Sequence, residues 1–300
     1  MIRLRPDIAC YRTAAGYLLT ASETALAIAA DLDGEIAEDD ARTLVLEGLA
    51  YSGDATIFDQ PRLCEAMFAW DSGAELDFIV NMVGHRGQML GLDVACGFGR
   101  LTLPLIARGC RLDAIDESLK SIEFLSERIP TDAGGRLYCT SIETFVSPGA
   151  YGYAFAAMNS LRYLESKGAL RRHLRAMGLS LAKGSPYLAC ISIPASPQAE
   201  SKQDWSFKFA GEDYRASWKR VRFCHLREQI IEEVEVRKAN GTLVHAELQK
   251  QGHYSFDFLR SLFDRHEVWR WEATYRSDFQ AVDMSADPGS GTFWLVLRRI

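Results

Sequence analysis

Three hundred residues, 48% of them hydrophobic and 25% charged, suffice for one large α/β domain with embellishments, or one domain and a small appendage. A net charge of −6 argues against broad binding to phosphate backbones, which needs clustered Lys and Arg, so no nucleic-acid partner is expected. The seven cysteines are odd in number, scattered and never spaced Cys-x-x-Cys. They exclude a disulfide framework and a zinc site and lead to the expectation of a reducing, cytoplasmic setting with no metal.

The first 50 residues read as a small α+β unit. Residues 8–11 and 17–20 have the composition of a hairpin around Ala14, Ala15 and Gly16, and two helices are predicted over 22–32 and 38–49 with an acidic joint at 31–35. Pro6 and Asp7 interrupt any signal-peptide pattern, and the alanine-rich stretch 24–30 is far too short to span a bilayer, so no membrane partner is expected. Amphipathic helices follow at 62–70 and 74–83.

A strand–helix alternation then begins. Strands are predicted near 89–95, 111–115, 136–140, 153–158 and 186–193, with helices over 100–108, 118–128 and 168–182 between them. Repeated β-α units imply a parallel sheet covered by helices on both faces. From Pro194 to about residue 220 the chain is polar, aromatic and irregular in its reading, with Trp205, Phe207, Phe209, Tyr214 and Trp218. Residues 229–237 and 242–250 alternate with period two around Asn240-Gly241, a strong hairpin signal. Ile231, Val234 and Val236 against Glu232, Glu233 and Glu235 give this flap an apolar and an acidic face. The apolar face is expected to cover a substrate cavity or to form a homodimer interface. A helix at 255–263 and strands at 268–275 and 292–297 complete the chain. The division expected is an appendage or lid over 1–61 and a main domain over 62–300, with the flap inserted at 194–252.

The chemistry centres on residues 91–100, GLDVACGFGR. Small residues between a strand and a helix let the backbone turn tightly and let a ligand approach it, as a nucleotide pocket at the carboxyl end of a parallel strand requires. Asp116 ends the next strand, 23 residues after Asp93, where a carboxylate can accept both hydroxyls of a ribose. The turn lacks the third glycine of a pyrophosphate site, so nothing points to a diphosphate.

Residues 92–100 and 114–119 (AIDESL) together resemble motif I and the following acidic motif of the class I S-adenosylmethionine-dependent methyltransferases, small-molecule branch. Residues 159–164 (NSLRYL) and 252–259 (GHYSFDFL) resemble that branch's segment after the fourth strand and the start of its late helix. The likeness runs over roughly residues 65–300. It implies a Rossmann-like, mostly parallel sheet with an antiparallel last strand, S-adenosyl-L-methionine as cofactor, and a small-molecule substrate methylated at N or O. Carried over by position, Asp93, Ala95, Cys96, Gly97 and Gly99 would hold the methionine part and ribose edge. Asp116 would take the ribose hydroxyls, with Glu117, Ser118 and Leu119 beside the adenine. The family's adenine-amino acceptor is usually an Asp; here Ser141 stands there, with the Ile142 amide serving the ring. Asn159 would sit beside the sulfonium. Tyr163, His253 and Tyr254 are the further candidates for catalytic and acceptor contacts.

Simpler readings compete for each residue. Asp93 would cap the turn, Asp116 would belong to a helix N-cap, Asn159 would be a turn residue, and His253 and Tyr254 would be surface and core residues. Two other functions stand beside methyl transfer. One is cyclisation or cleavage of the donor itself, releasing methylthioadenosine. The other is a binding module whose N-terminus holds a leader peptide.

Overall fold

The structure, a computed structural model, describes the backbone of residues 2–4, 9–13, 16–21, 24–28 and 50–52. It describes backbone and side chains from residue 56 onward, except 132–133, 265 and 284–287. The chain divides into two compact units. One comprises Met1–Ile57, Glu200–Arg222 and Ile231–Gln249; the other comprises Phe58–Ala199, Phe223–Ile230 and Lys250–Ile300.

In the first unit, β1 (Ile2–Leu4) is followed by β2 (Ala9–Thr13), β3 (Gly16–Ala21), β4 (Thr24–Ile28) and β5 (Ala50–Ser52). The expected hairpin is present as β2 and β3, paired antiparallel from Ala9↔Thr20 to Thr13↔Gly16. The helix expected over 22–32 is not: Thr24–Ile28 is a third strand, antiparallel to β3. An alanine-rich run has high helix propensity, and the neighbouring strand edge overrides it because pairing satisfies its backbone groups. The helix expected at 38–49 and the acidic joint lie outside the described residues.

The second unit opens with helices α1 (Pro61–Met67) and α2 (Gly73–Val83), then β6 (Leu90–Val94), α3 (Thr102–Ala107), β7 (Arg111–Asp116) and α4 (Leu119–Ser126). It continues with β8 (Leu137–Cys139), β9 (Tyr153–Ala156), α5 (Lys167–Ser180) and β10 (Pro186–Ile193). Ser118, Ser166 and Ser255 each accept the backbone N–H three residues on, capping α4, α5 and the late helix.

The stretch expected to be irregular is instead regular. Strands β11 (Lys202–Phe209) and β12 (Glu212–Cys224) pair antiparallel, and with β13 (Gln229–Lys238) and β14 (Leu243–Gly252) they form a four-stranded sheet in order β11-β12-β13-β14. The turn between β11 and β12 is Ala210-Gly211, both at positive φ (50° and 82°), the backbone of a two-residue hairpin. Trp205 lies opposite Ala216 and Phe207 opposite Tyr214, so the aromatics follow the period-two rule. Their ladder is real: Trp205 stacks on Trp218 at 5.4 Å and Phe207 on Tyr214 at 5.5 Å.

The apolar flap face is also settled by burial. Ile231, Val234 and Val236 are 4%, 0% and 0% exposed within the single chain. Those three side chains are therefore covered within the single chain.

Helix α6 (Phe256–Phe263), β15 (Trp269–Arg276) and β16 (Gly291–Arg299) follow the flap. The main sheet has the order β15-β16-β10-β9-β6-β7-β8. Its pairings from β10 to β8 are parallel, and β16 runs antiparallel to both β10 and β15. Successive side chains serve opposite faces. Leu92, Val94, Ala154, Ala156, Ala189 and Ile191 meet α5 and α6 residues such as Leu174 and Leu259. Phe155, Leu188, Cys190 and Trp294 meet Phe78 and Ile79 of α2 on the other. Both faces are dry, so the open end of the sheet is where polar chemistry can sit. No helix among the described residues is long and apolar enough to cross a membrane.

Candidate functional site

The carboxyl ends of β9, β6 and β7 lie side by side, and the predicted motifs stand on them. After β6 the chain turns through Ala95, Gly97 and Gly99 at φ 61°, 53° and 89°. A Cβ added at Gly97 would meet no atom within 4 Å, so the backbone faces open space there. At Gly99 the same Cβ would lie 2.4 Å from Leu125 Cδ1, so this glycine exists for close packing on α4. Cys96 turns inward with Ala114, Ile122 and Leu125, burial pushing its thiol pKa up; only its backbone is left for a ligand.

Asp116 ties the two motifs together. Its Oδ2 accepts the Gly97 N–H at 2.8 Å and its Oδ1 accepts the Ser118 N–H at 2.9 Å. A carboxylate offers about four lone-pair sites, so each oxygen retains one for a hydroxyl. Burial raises its pKa, opposed by those two N–H groups. Beside it Leu119 is 56% exposed at the first turn of α4, an apolar side chain left open at a polar site. Glu117 is exposed, and its carbonyl accepts the Cys139 thiol at 3.5 Å.

Asp93 is 3% exposed and accepts the Thr102 hydroxyl at 2.6 Å, so it anchors the start of α3. Burial raises its pKa to about 7, against the lowering effects of Thr102 and Arg100. Arg100 is itself clamped by Ser72 Oγ at 2.7 Å and Glu75 Oε2 at 2.6 Å, fixing the turn from the α2 side. A cavity of about 470 Å³ lies here, lined by Trp70, Phe98, Gly99 and Arg100 among others. It contains neither Asp116 nor Asn159 and is not the site described.

After β9, Met158 and Asn159 both adopt left-handed backbone, φ 50° and 63°. Asn tolerates this and Met does not, so the bend is held against local preference, as at functional sites. Asn159 Oδ1 is buried and no group of the described protein donates to it. Buried polar atoms are almost always paired, so this acceptor fits a ligand ammonium or N–H. Tyr163 ends the following 3-10 turn (Ser160–Tyr163), half-buried, its ring 5.4 Å from that of Phe58.

After β8, Ser141 Oγ accepts the Glu143 N–H at 3.3 Å, and the Ile142 carbonyl faces His173 Nδ1 at 2.6 Å. His173 is fully buried and also meets Tyr187 Oη at 2.7 Å, so it fixes the segment that carries Ser141. Burial lowers its pKa to about 4.

The two remaining candidates part company. Tyr254 is 2% exposed in the main core, its hydroxyl donates to the Leu164 and Ser166 carbonyls, and burial raises its pKa. Its ring packs in the core and its hydroxyl is engaged by those two carbonyls. His253 donates its backbone N–H to the Glu228 carbonyl, and its ring meets Phe223 at 5.5 Å. The sequence reading missed Phe58 and Asp59: Ser118 Oγ lies 2.8 Å from Asp59 Oδ1, and Ser121 Oγ donates to the Phe58 carbonyl at 2.8 Å. No periodicity marks these residues; Pro61 two positions on, at the head of α1, is the only local signal. No cluster of metal-ligating residues occurs among the described residues.

The fold built around this sheet is shared with known structures. A S-adenosylmethionine-dependent methyltransferase from Clostridium acetobutylicum superimposes with a TM-score of 0.65 at 14% identity, covering 81% of this chain and 99% of that one. The CcbJ methyltransferase from Streptomyces caelestis gives 0.64 at 16%, covering 82% and 99%. The sugar N-methyltransferase KedS8 from Streptoalloteichus gives 0.64 at 16%, covering 83% and 96%. The chain has the S-adenosylmethionine-dependent methyltransferase fold. No protein-family model and no curated protein matches the sequence. Within the methyltransferase fold, the resemblance of the sequence motifs and the positions of Gly97, Asp116 and Asn159 fall on the same three strand ends.

Proposed function

We propose that this chain is a S-adenosylmethionine-dependent methyltransferase acting on an amine or hydroxyl of a small molecule. The observation that carries the reading is Asp116: its carboxylate is fixed on the Gly97 and Ser118 amides, with an acceptor site spare on each oxygen and open space over Gly97. Two adjacent acceptors of this kind fit the vicinal hydroxyls of a ribose. Leu119 supplies an apolar contact for a base, Ser141 an acceptor for its amino group, and Asn159 Oδ1 an acceptor for the ammonium of the amino-acid end.

A bound sulfonium brings an already activated methyl group. The chain's task is then to position the two reactants and keep water away. An amine that arrives neutral needs no base, and His253 is the remaining candidate for accepting a proton from a hydroxyl or a protonated amine. The small-molecule class is supported by the solved structures of similar fold, which include the sugar N-methyltransferase KedS8.

Calorimetry with S-adenosylmethionine, its homocysteine product and sinefungin tests the reading. Saturable one-to-one binding is expected. The absence of binding by folded protein overturns it. Incubation with the donor alone checks the rival chemistry, because rapid release of methylthioadenosine would replace methyl transfer by donor cleavage.

A further inference from the structure

In the main sheet β6 lies between β7 and β9. Phe58 and Tyr163 join the segments that follow those two outer strands. Phe58 is held on the β7 side: its carbonyl accepts from Ser118 Oγ at 3.3 Å and Ser121 Oγ at 2.8 Å, at the start of α4. Asp59 adds a second tie to Ser118 Oγ at 2.8 Å. Tyr163 is held on the β9 side, at the end of the turn that begins with Ser160. The two rings meet edge to face, with centroids 5.4 Å apart and planes at 83°. Both are only half-buried, so each keeps apolar surface beyond the mutual contact.

We infer that Phe58 and Tyr163 form an aromatic clasp over the turn at residues 95–99 and retain a nucleoside ligand bound there. The inference rests on the donor site proposed above. A ligand lying on Gly97 and Asp116 is bounded below by the turn and above by the two rings, so leaving requires the ring contact to part. The ties at Ser118 and Ser121 make Phe58 part of the site although it precedes the first helix. The same Ser118 caps α4 by accepting the Ser121 N–H at 3.2 Å, so the clasp and the ribose end of the site share one anchor.

The test uses the full chain and S-adenosylmethionine, with dissociation followed by stopped-flow displacement with excess sinefungin. Phe58→Leu and Tyr163→Leu keep bulk and remove the ring contact; Tyr163→Phe keeps the ring. Each Leu variant is expected to speed dissociation at least fivefold, and the double variant no more than the larger single, because either change alone opens the clasp. Tyr163→Phe is expected to match the unsubstituted protein, and ligand-free melting temperatures are expected to stay within a few degrees. Unchanged dissociation in both Leu variants, effects that multiply in the double, or an equal effect of Tyr163→Phe each overturn the clasp while leaving the donor site standing. Failure of the unsubstituted protein to bind S-adenosylmethionine overturns both.

Discussion

Replacing Asp116 by Ala perturbs the site at the point where the two motifs join. The carboxylate accepts two backbone N–H groups at 2.8 and 2.9 Å, and hydrogen bonds to a charged group contribute about 1.5–3 kcal/mol each. The net loss in stability is smaller than their sum, because burial penalises the charged form and raises its pKa. Water also reaches the amide of Gly97, over which the space is open. A loss of about 2 kcal/mol in the ligand-free protein follows, roughly 4–8 °C in Tm for a unit of this size. Donor binding falls further, since two ribose hydroxyls lose a charged acceptor: at about 1.5 kcal/mol each the affinity drops on the order of 100-fold. Differential scanning calorimetry measures the first effect and titration calorimetry with S-adenosylmethionine the second. Unchanged affinity in a folded Asp116→Ala protein would remove this residue from the site and with it the reading of the turn.

Gly97→Val places a branched side chain at φ +53° and fills the open space above the turn, so it should cost about 1–2 kcal/mol of stability and abolish donor binding, as checked by melting and calorimetry. Ser141→Asp should fold, because an Asp side chain accepts the Glu143 N–H as the Ser hydroxyl does, and donor affinity should equal or exceed that of the unsubstituted protein; a large loss would mean that the adenine lies elsewhere. Asp93 and His173 should impose opposite pH slopes on stability. With Asp93 raised to about 7, the native state binds more protons than the unfolded one between about pH 4 and 7, so its contribution falls as pH rises, by up to about 4 kcal/mol. With His173 lowered to about 4, the native state binds fewer protons below about pH 6.5, so its contribution falls as pH drops, by up to about 3 kcal/mol at pH 4. Urea denaturation across pH 4–8 should show Asp93→Asn losing the first slope and His173→Gln the second; slopes unaltered by either change would sink the assignment.

Much of the second unit was legible because its strands are buried on both faces and its helices carry their own serine caps. Short apolar runs such as 186–193 and capped periodic stretches such as 167–180 state their structure locally. The glycine turn and Asp116 were legible for a related reason: positive φ and a strand-end carboxylate are requirements written in residue type. What only tertiary structure decided was set by partners distant in sequence. Thr24–Ile28 became a strand through β3, and the aromatic stretch 202–224 became a hairpin through an Ala-Gly turn that carries a weaker signal than Asn-Gly. Asp93 and Tyr254 look equally available in sequence, yet Thr102 takes the first and the carbonyls of Leu164 and Ser166 take the second. Phe58 is tied to the start of α4 through hydroxyls of Ser118 and Ser121 some 60 positions away. Local sequence specifies which backbone a segment prefers, whereas burial and hydrogen-bond partners, which decide what a side chain remains free to do, exist only once the strands are side by side.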